Sequence, residues 1–280
     1  MKLQKLLFKE FVSSNENPYA NFLGAPGDLE YFTAQTLNYY SLQIQDALLD
    51  ALTRVTQLSS VVREKSARDF LLFGAGRRLN MLWYSYRALI GTVHPGRSEP
   101  LSDEEGRDLT RDINVIYMNI TGALDNFCLA LLHEYAPENL NLSPHKLGLF
   151  QEVVTADDRF IFLREILLIH SEWDRDVKKR RNPSAHRIPP YVPSQVVTKE
   201  EAEQYSKLMN GYWGKVAGKD FDAAEQILRQ TEKIGRFTPI FMHDPSKGAF
   251  PIYPTAPDDI GHLLTVFAGV EAFIRARALT

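Results

Sequence analysis

Apolar residues recur every three or four positions along most of this chain. Leu37, Tyr40, Ile44, Leu48, Ala51, Val55, Leu58 and Val62 form one stripe, and Leu72, Ala75, Leu79, Leu82, Tyr86 and Leu89 a second. Such steps return side chains to one face of a helix, so each stripe predicts an amphipathic helix packed on a core. Pro95, Gly96 and Pro100 mark the turn that follows. Ser102-Asp103-Glu104-Glu105 is a capping-box pattern and predicts the next helix start. That helix carries Leu109, Ile113, Ile116, Ile120, Leu124, Phe127 and Leu131 on one side and Val115, Met118, Gly122 and Leu129 on the other. A helix apolar on both sides is covered on both, which places it centrally or at a subunit interface. Pro137 ends it. Thr155-Ala156-Asp157-Asp158 opens another, in which Phe160, Leu163, Leu167, His170, Trp173 and Val177 lead towards Arg180.

The pattern breaks after His186. Pro189-Pro190-Tyr191-Val192-Pro193 excludes helix interior, because proline lacks the amide and crowds the preceding turn. Thr198-Lys199-Glu200-Glu201 opens a short helix, a second covers 220–233, and a Pro/Gly-rich loop spans 238–257. Short strands fit near 188–197 and 237–253. A final stripe of Ile260, Leu263, Phe267, Val270 and Ile274 predicts the last helix. The expected fold is all-α, a bundle of about five longer helices built from residues 1–187 and 257–280. Residues 188–256 form a mixed insertion of short helices and loops before the C-terminal helix.

Composition narrows the classes. With 280 residues, 44% hydrophobic and 24% charged, the chain can bury a large core without disulfides or metals. Its single cysteine, Cys128, allows no internal disulfide and suits a reducing compartment. The segment 1–9 is too short and too charged for a signal peptide, and no uninterrupted apolar stretch is expected to span a membrane. A cytoplasmic protein without membrane contact is the expectation. The net charge of −3 means that any nucleic-acid role must come from a local patch.

Several familiar chemistries are excluded. His133-Glu134 is no zinc-protease motif, since position 137 is proline. Gly74-Ala75-Gly76 lacks the Gly-Lys-Ser/Thr of a phosphate loop and reads as close helix packing. His243-Asp244 has no supporting histidines at helical spacing, so neither a metal nor another cofactor is expected. Cys128 and His170 read as core residues, as do Trp83 and Trp173, while Trp213 is left open. Tyr191 reads as a packing or loop residue. Asp157-Asp158 and Asp258-Asp259 read as helix starts, where the dipole favours negative charge.

Residues 175–187 stand apart, with six cationic side chains against one acidic one. Pro183 pushes Asn182 away from helical geometry, and Asn-Pro suits a helix start, so the helix is expected to break at Arg181-Asn182 and restart through His186. Arg181 and His186 would then flank a kink and share a phosphate. Arginine clamps phosphate through two donors, histidine moves protons near neutral pH, and RNA supplies its own 2′-hydroxyl nucleophile.

The segment Arg181-Asn182-Pro183-Ser184-Ala185-His186, with its Arg-x4-His spacing and preceding long helix, resembles HEPN domains, the higher eukaryote and prokaryote nucleotide-binding domains. The resemblance implies a metal-independent endoribonuclease of a toxin, antiviral or RNA-processing system, acting as a homodimer. It carries Arg181, Asn182 and His186 across as catalytic residues, with Lys179, Arg180 and Arg187 guiding RNA and Asp125 and Asn126 supporting from the two-sided helix. Implied partners are RNA, a second copy, and a protein antitoxin or regulator. Two alternatives stay open: a non-catalytic RNA- or nucleotide-binding module, and a helical interaction or regulatory protein in which Arg181 and Asn182 only stabilise a kink.

Overall fold

The computed structural model describes residues 19, 34–244, 246 and 248–279, apart from the side chain of His186; the segment 1–9 lies outside them. Among the described residues helix accounts for 74% and strands for almost none, which makes the fold all-α. Helix α1 (Ala34–Ser59) buries Ile44, Leu48, Ala51, Val55 and Leu58, as its stripe predicts. The second stripe is one continuous run of α2 (Lys65–Asp69), a π-helical stretch (Phe70–Gly76) and α3 (Arg77–Thr92). The wide π turn resets the register. Ala67, Leu71, Ala75 and Leu79 lie four apart and are fully buried, so Leu71 fills the core where Leu72 was expected, and Phe73 is left 56% exposed. Glu134 accepts the amides of Arg63 and Glu64 and so caps this run.

Helix α4 (Asp103–Tyr135) begins at the expected capping box. The Glu105 amide donates to Ser102 Oγ at 3.2 Å, and the Ser102 amide to the Glu105 carboxylate at 2.9 Å. By length and composition α4 is apolar enough to cross a membrane, contrary to the sequence expectation, and 72% of that window is buried. Its cover comes from α2, the π stretch, α3, the later helix α7 and the C-terminal helix. The expected fourth helix is two helices after α5 (Glu152–Thr155): α6 (Ile161–Ile169) and α7 (Ser171–His186). The chain hinges at His170, and Phe160, Leu163, Leu167, His170, Trp173 and Val177 are still all buried.

In the insertion, α8 (Lys199–Ala217) and α9 (Phe221–Thr231) pack on each other as a hairpin. Helix α8 buries no residue, and Trp213 is 60% exposed. The stem below the hairpin belongs to the bundle. Antiparallel bridges join Tyr191 to Met242 and Val196 to Arg236, and β1 (Ile240–Phe241) pairs antiparallel with β2 (Phe250–Pro251). Gly235 makes the stem's sharp turn with φ 79°, where a Cβ would meet the Val196 carbonyl at 2.7 Å. Phe241 stacks on Phe250 at 5.3 Å and tilts against Tyr117 of α4 at 5.4 Å. Val192, Phe237 and Ile252 join the same core. Helix α10 (Thr255–Ala278) closes the bundle against α1, α4, α6 and α7.

Candidate functional site

Helix α7 runs unbroken through the segment where a break was expected, with Pro183 inside it. The missing proline amide would have bonded the Lys179 carbonyl, at a cost of about 3 kcal/mol mid-helix. Pro183 stands three residues from the helix end, and the Arg187 amide closes the last turn on the Pro183 carbonyl at 2.9 Å. Buried Trp173 and Val177 and the ion-paired Arg180 anchor the helix upstream, so tertiary packing outweighs the local preference for a kink. In a continuous helix, Asn182 and His186 share a face, while Arg181 and His186 lie roughly 140° apart around the axis. Arg181 and His186 therefore do not flank a kink; the side chain of His186 lies outside the described residues.

The basic run meets more acid than the local sequence suggests. Lys178 Nζ bonds Asp174 Oδ2 at 2.6 Å, Lys179 Nζ bonds Asp176 Oδ1 at 2.7 Å, and Arg175 approaches Glu172 at 3.4 Å. Arg180, expected to guide RNA, is a largely enclosed residue of a different cluster. Its guanidinium grips Asp259 of α10 through two bonds, Nε to Oδ2 at 2.8 Å and Nη2 to Oδ1 at 2.5 Å, with its side chain 11% exposed. Lys179 remains 72% exposed on its surface pair. Among the described residues, Arg181 and Arg187 have no carboxylate within ion-pair distance.

Asp125 of α4 feels the charge of Arg181 across the gap to α7, without an ion pair between them. Asp125 is exposed, yet desolvation by its neighbours raises its pKa against the pull of Arg181, Lys178 and Arg78. Arg181 Nε is buried without a hydrogen-bond partner, as is Ser184 Oγ one turn on, and Arg181 Nη1 reaches Asn182 Oδ1 at 3.4 Å. Asn182 is exposed. Asn126 turns its amide nitrogen to the Gly122 carbonyl at 2.7 Å and lies against Gly74, where a Cβ would meet its Oδ1 at 2.5 Å. Gly74 is thus a close-packing glycine.

Beside these residues lies an open cleft of about 580 Å³ between the π stretch with α3 on one side and α4 on the other. Phe73, Arg77 and Arg78 form the first wall, Met118, Asn119 and Asn126 the second, and Ser184 of α7 closes one end. A smaller recess of about 210 Å³ on the other side of Pro183 brings Arg187 beside His243 and Asp244.

A second polar cluster was not legible in the sequence. His170 Nδ1 and His262 Nδ1 are 2.8 Å apart, so one ring donates and the other accepts. Burial lowers both to about 4, which keeps both neutral. His262 stacks on Trp173 at 5.3 Å, and Trp173 Nε1 donates to Asp259 Oδ1 at 3.0 Å. Beside them burial raises Asp258 to about 7. Asp258 and Asp259 do open a helix, yet Asp259 is fully enclosed and carries the Arg180 pair. The only sequence signal was the spacing of Asp258, Asp259 and His262 on one turn of α10. Cys128 is buried, and burial pushes its thiol up to about 12.

No protein-family model matches the chain, and no curated protein or solved structure matches it significantly.

Proposed function

We propose that the protein is a metal-independent endoribonuclease in which Arg181 binds the scissile phosphate, His186 transfers the proton of the 2′-hydroxyl, and Asn182 orients the two. The observation that carries the reading is the state of Arg181. This is a cation without a carboxylate at ion-pair distance, its Nε unbonded, in the segment that resembles HEPN domains. The guanidinium keeps donors for a phosphate, its one side-chain bond among the described residues being that of Nη1 to Asn182 Oδ1. Exposed Lys179 and Arg187 add long-range attraction for RNA. Because one continuous helix separates Arg181 from His186 around its axis, the reading needs a homodimer in which a second α7 completes the pair.

The test is cleavage of a panel of structured and unstructured RNAs in excess chelator by the wild type, His186→Ala and Arg181→Ala. Cleavage by the wild type leaving 2′,3′-cyclic phosphate ends, lost by a factor of at least about 100 in His186→Ala, is the expected result. Sedimentation equilibrium is expected to give a dimer. An inert wild type, or a His186→Ala variant that cuts equally well, overturns the assignment.

A further inference from the structure

The 580 Å³ cleft has a lining whose chemistry is specific. It contains two arginines, Arg77 and Arg78, and no carboxylate, so its wall favours an anion. The Arg77 guanidinium lies 5.0 Å from the centre of the Phe73 ring, and Phe73 and Met81 are 56% and 50% exposed. An exposed aromatic ring beside an arginine offers a base a stacking surface and a phosphate a donor.

The opposite wall supplies polar edges. Asn119 and Asn126 each spend their amide nitrogen on a carbonyl one turn back in α4, at 2.8 and 2.7 Å. Ser184 Oγ, buried without a partner, stands at the end of the cleft within the Arg181–His186 segment. Gly122 makes room for the Arg78 guanidinium, whose carbon would lie 2.2 Å from a Cβ there. The π stretch sets Phe73 outward at the rim, and such stretches concentrate at functional positions. The volume falls in the range of small-ligand sites and exceeds what one base requires.

We infer that this cleft is a subsite for one unpaired nucleotide of single-stranded RNA, adjoining the bond addressed by the Arg181–His186 segment. The inference rests on the ribonuclease reading for its link to cleavage, but not for binding. The base stacks on Phe73, its polar edge faces the α4 amides, and its phosphate meets Arg77 and Arg78. Duplex RNA is excluded, since a paired base cannot leave its stack to reach the ring.

The experiment is fluorescence anisotropy with a labelled 2′-O-methyl RNA dodecamer, which lacks the nucleophile and stays intact, across a salt series. Phe73→Ala is expected to weaken binding about tenfold. Arg77→Ala is expected to flatten the log–log salt slope by about 0.7. The same sequence as a duplex should bind more weakly than the single strand. Both positions are exposed, so unchanged melting temperatures will show that the variants are folded. A wild type that cleaves RNA while both variants bind the dodecamer normally overturns the subsite and leaves the nuclease reading standing. A wild type that never cleaves but binds in a Phe73-dependent way supports the subsite and removes the nuclease. Variants that shift the oligomeric state in sedimentation without changing RNA affinity overturn the subsite by showing that the cleft takes a protein.

Discussion

Gly122 shows how one missing side chain shapes the cleft. In the middle of α4, glycine costs up to about 1 kcal/mol relative to alanine, yet here it admits the Arg78 guanidinium, which also reaches Asn119 Oδ1 at 3.5 Å. Gly122→Ala should therefore keep or raise the melting temperature while displacing Arg78, because the clashing atoms are the flexible end of a long side chain. RNA affinity is expected to fall severalfold. Calorimetry and anisotropy on the same sample check both halves, and unchanged affinity would mean that Arg78 has no part in binding. Gly74 is the contrasting case: its neighbour is Asn126 on α4, held by its own bond to Gly122, so Gly74→Ala meets a side chain with less room to yield.

Among the elements, the first turns of α10 join α7 to the bundle and set its response to pH. His170 and His262 have pKa values of about 4 when folded against an ordinary 6.5, so the unfolded chain binds more protons between those values. Their contribution is complete above pH 6.5 and is lost as pH falls. Asp258 works the other way. Its folded pKa of about 7 lies above the ordinary 3.8, so its contribution is present at low pH and is lost as pH rises towards 7. Between pH 4 and 6.5 the two histidines favour a rise in stability with pH, and Asp258 opposes it together with Asp259 and Asp174, whose carboxyls burial also raises. Asp258→Asn removes one opposing group and should shift the profile towards a steeper rise with pH, which urea unfolding from pH 4.5 to 8 will measure. A variant profile parallel to the wild type would mean that Asp258 is not raised. Tyr40 of α1 and Asp259 are the groups that act on Asp258, so the same turn ties α1 to the response.

On the scale of the whole molecule, one core joins the bundle to the insertion stem, and only the α8–α9 hairpin stands apart. Helix α8 buries nothing, and α9 buries only Ala224 and Thr231. The stem below is zipped by mutual bonds of Val196 and Arg236 at 2.7 and 2.9 Å, so the two ends of the hairpin already meet. Replacing 199–231 with a short glycine-serine linker should lower stability by less than about 1 kcal/mol, whereas deleting all of 188–256 should unfold the protein by removing Val192, Phe237, Phe241 and Ile252 from the core. Thermal unfolding followed by circular dichroism distinguishes the two. A large loss on removing the hairpin alone would mean that it packs more intimately than its exposure indicates.

The helices themselves were written in the chain, because burial on one face imposes a period that needs no knowledge of partners. Ile44, Leu48 and Val55 on α1, the capping box of α4, and the buried row from Phe160 to Val177 all follow from local spacing. The registers that failed are those in which a neighbour intervenes. Leu71 replaced Leu72 because a π turn widened the helix, the chain hinged at His170 where that ring meets His262, and α7 continued through Pro183 because Arg180 and Asp259 hold it down. The candidate site divides in the same way. Arg181, Asn182 and His186 are adjacent in sequence and could be picked out from it. The removal of Arg180 to Asp259 and the cleft beside Ser184 each join residues more than 50 positions apart. Charge and distance in space establish those relations, and a one-dimensional pattern carries neither.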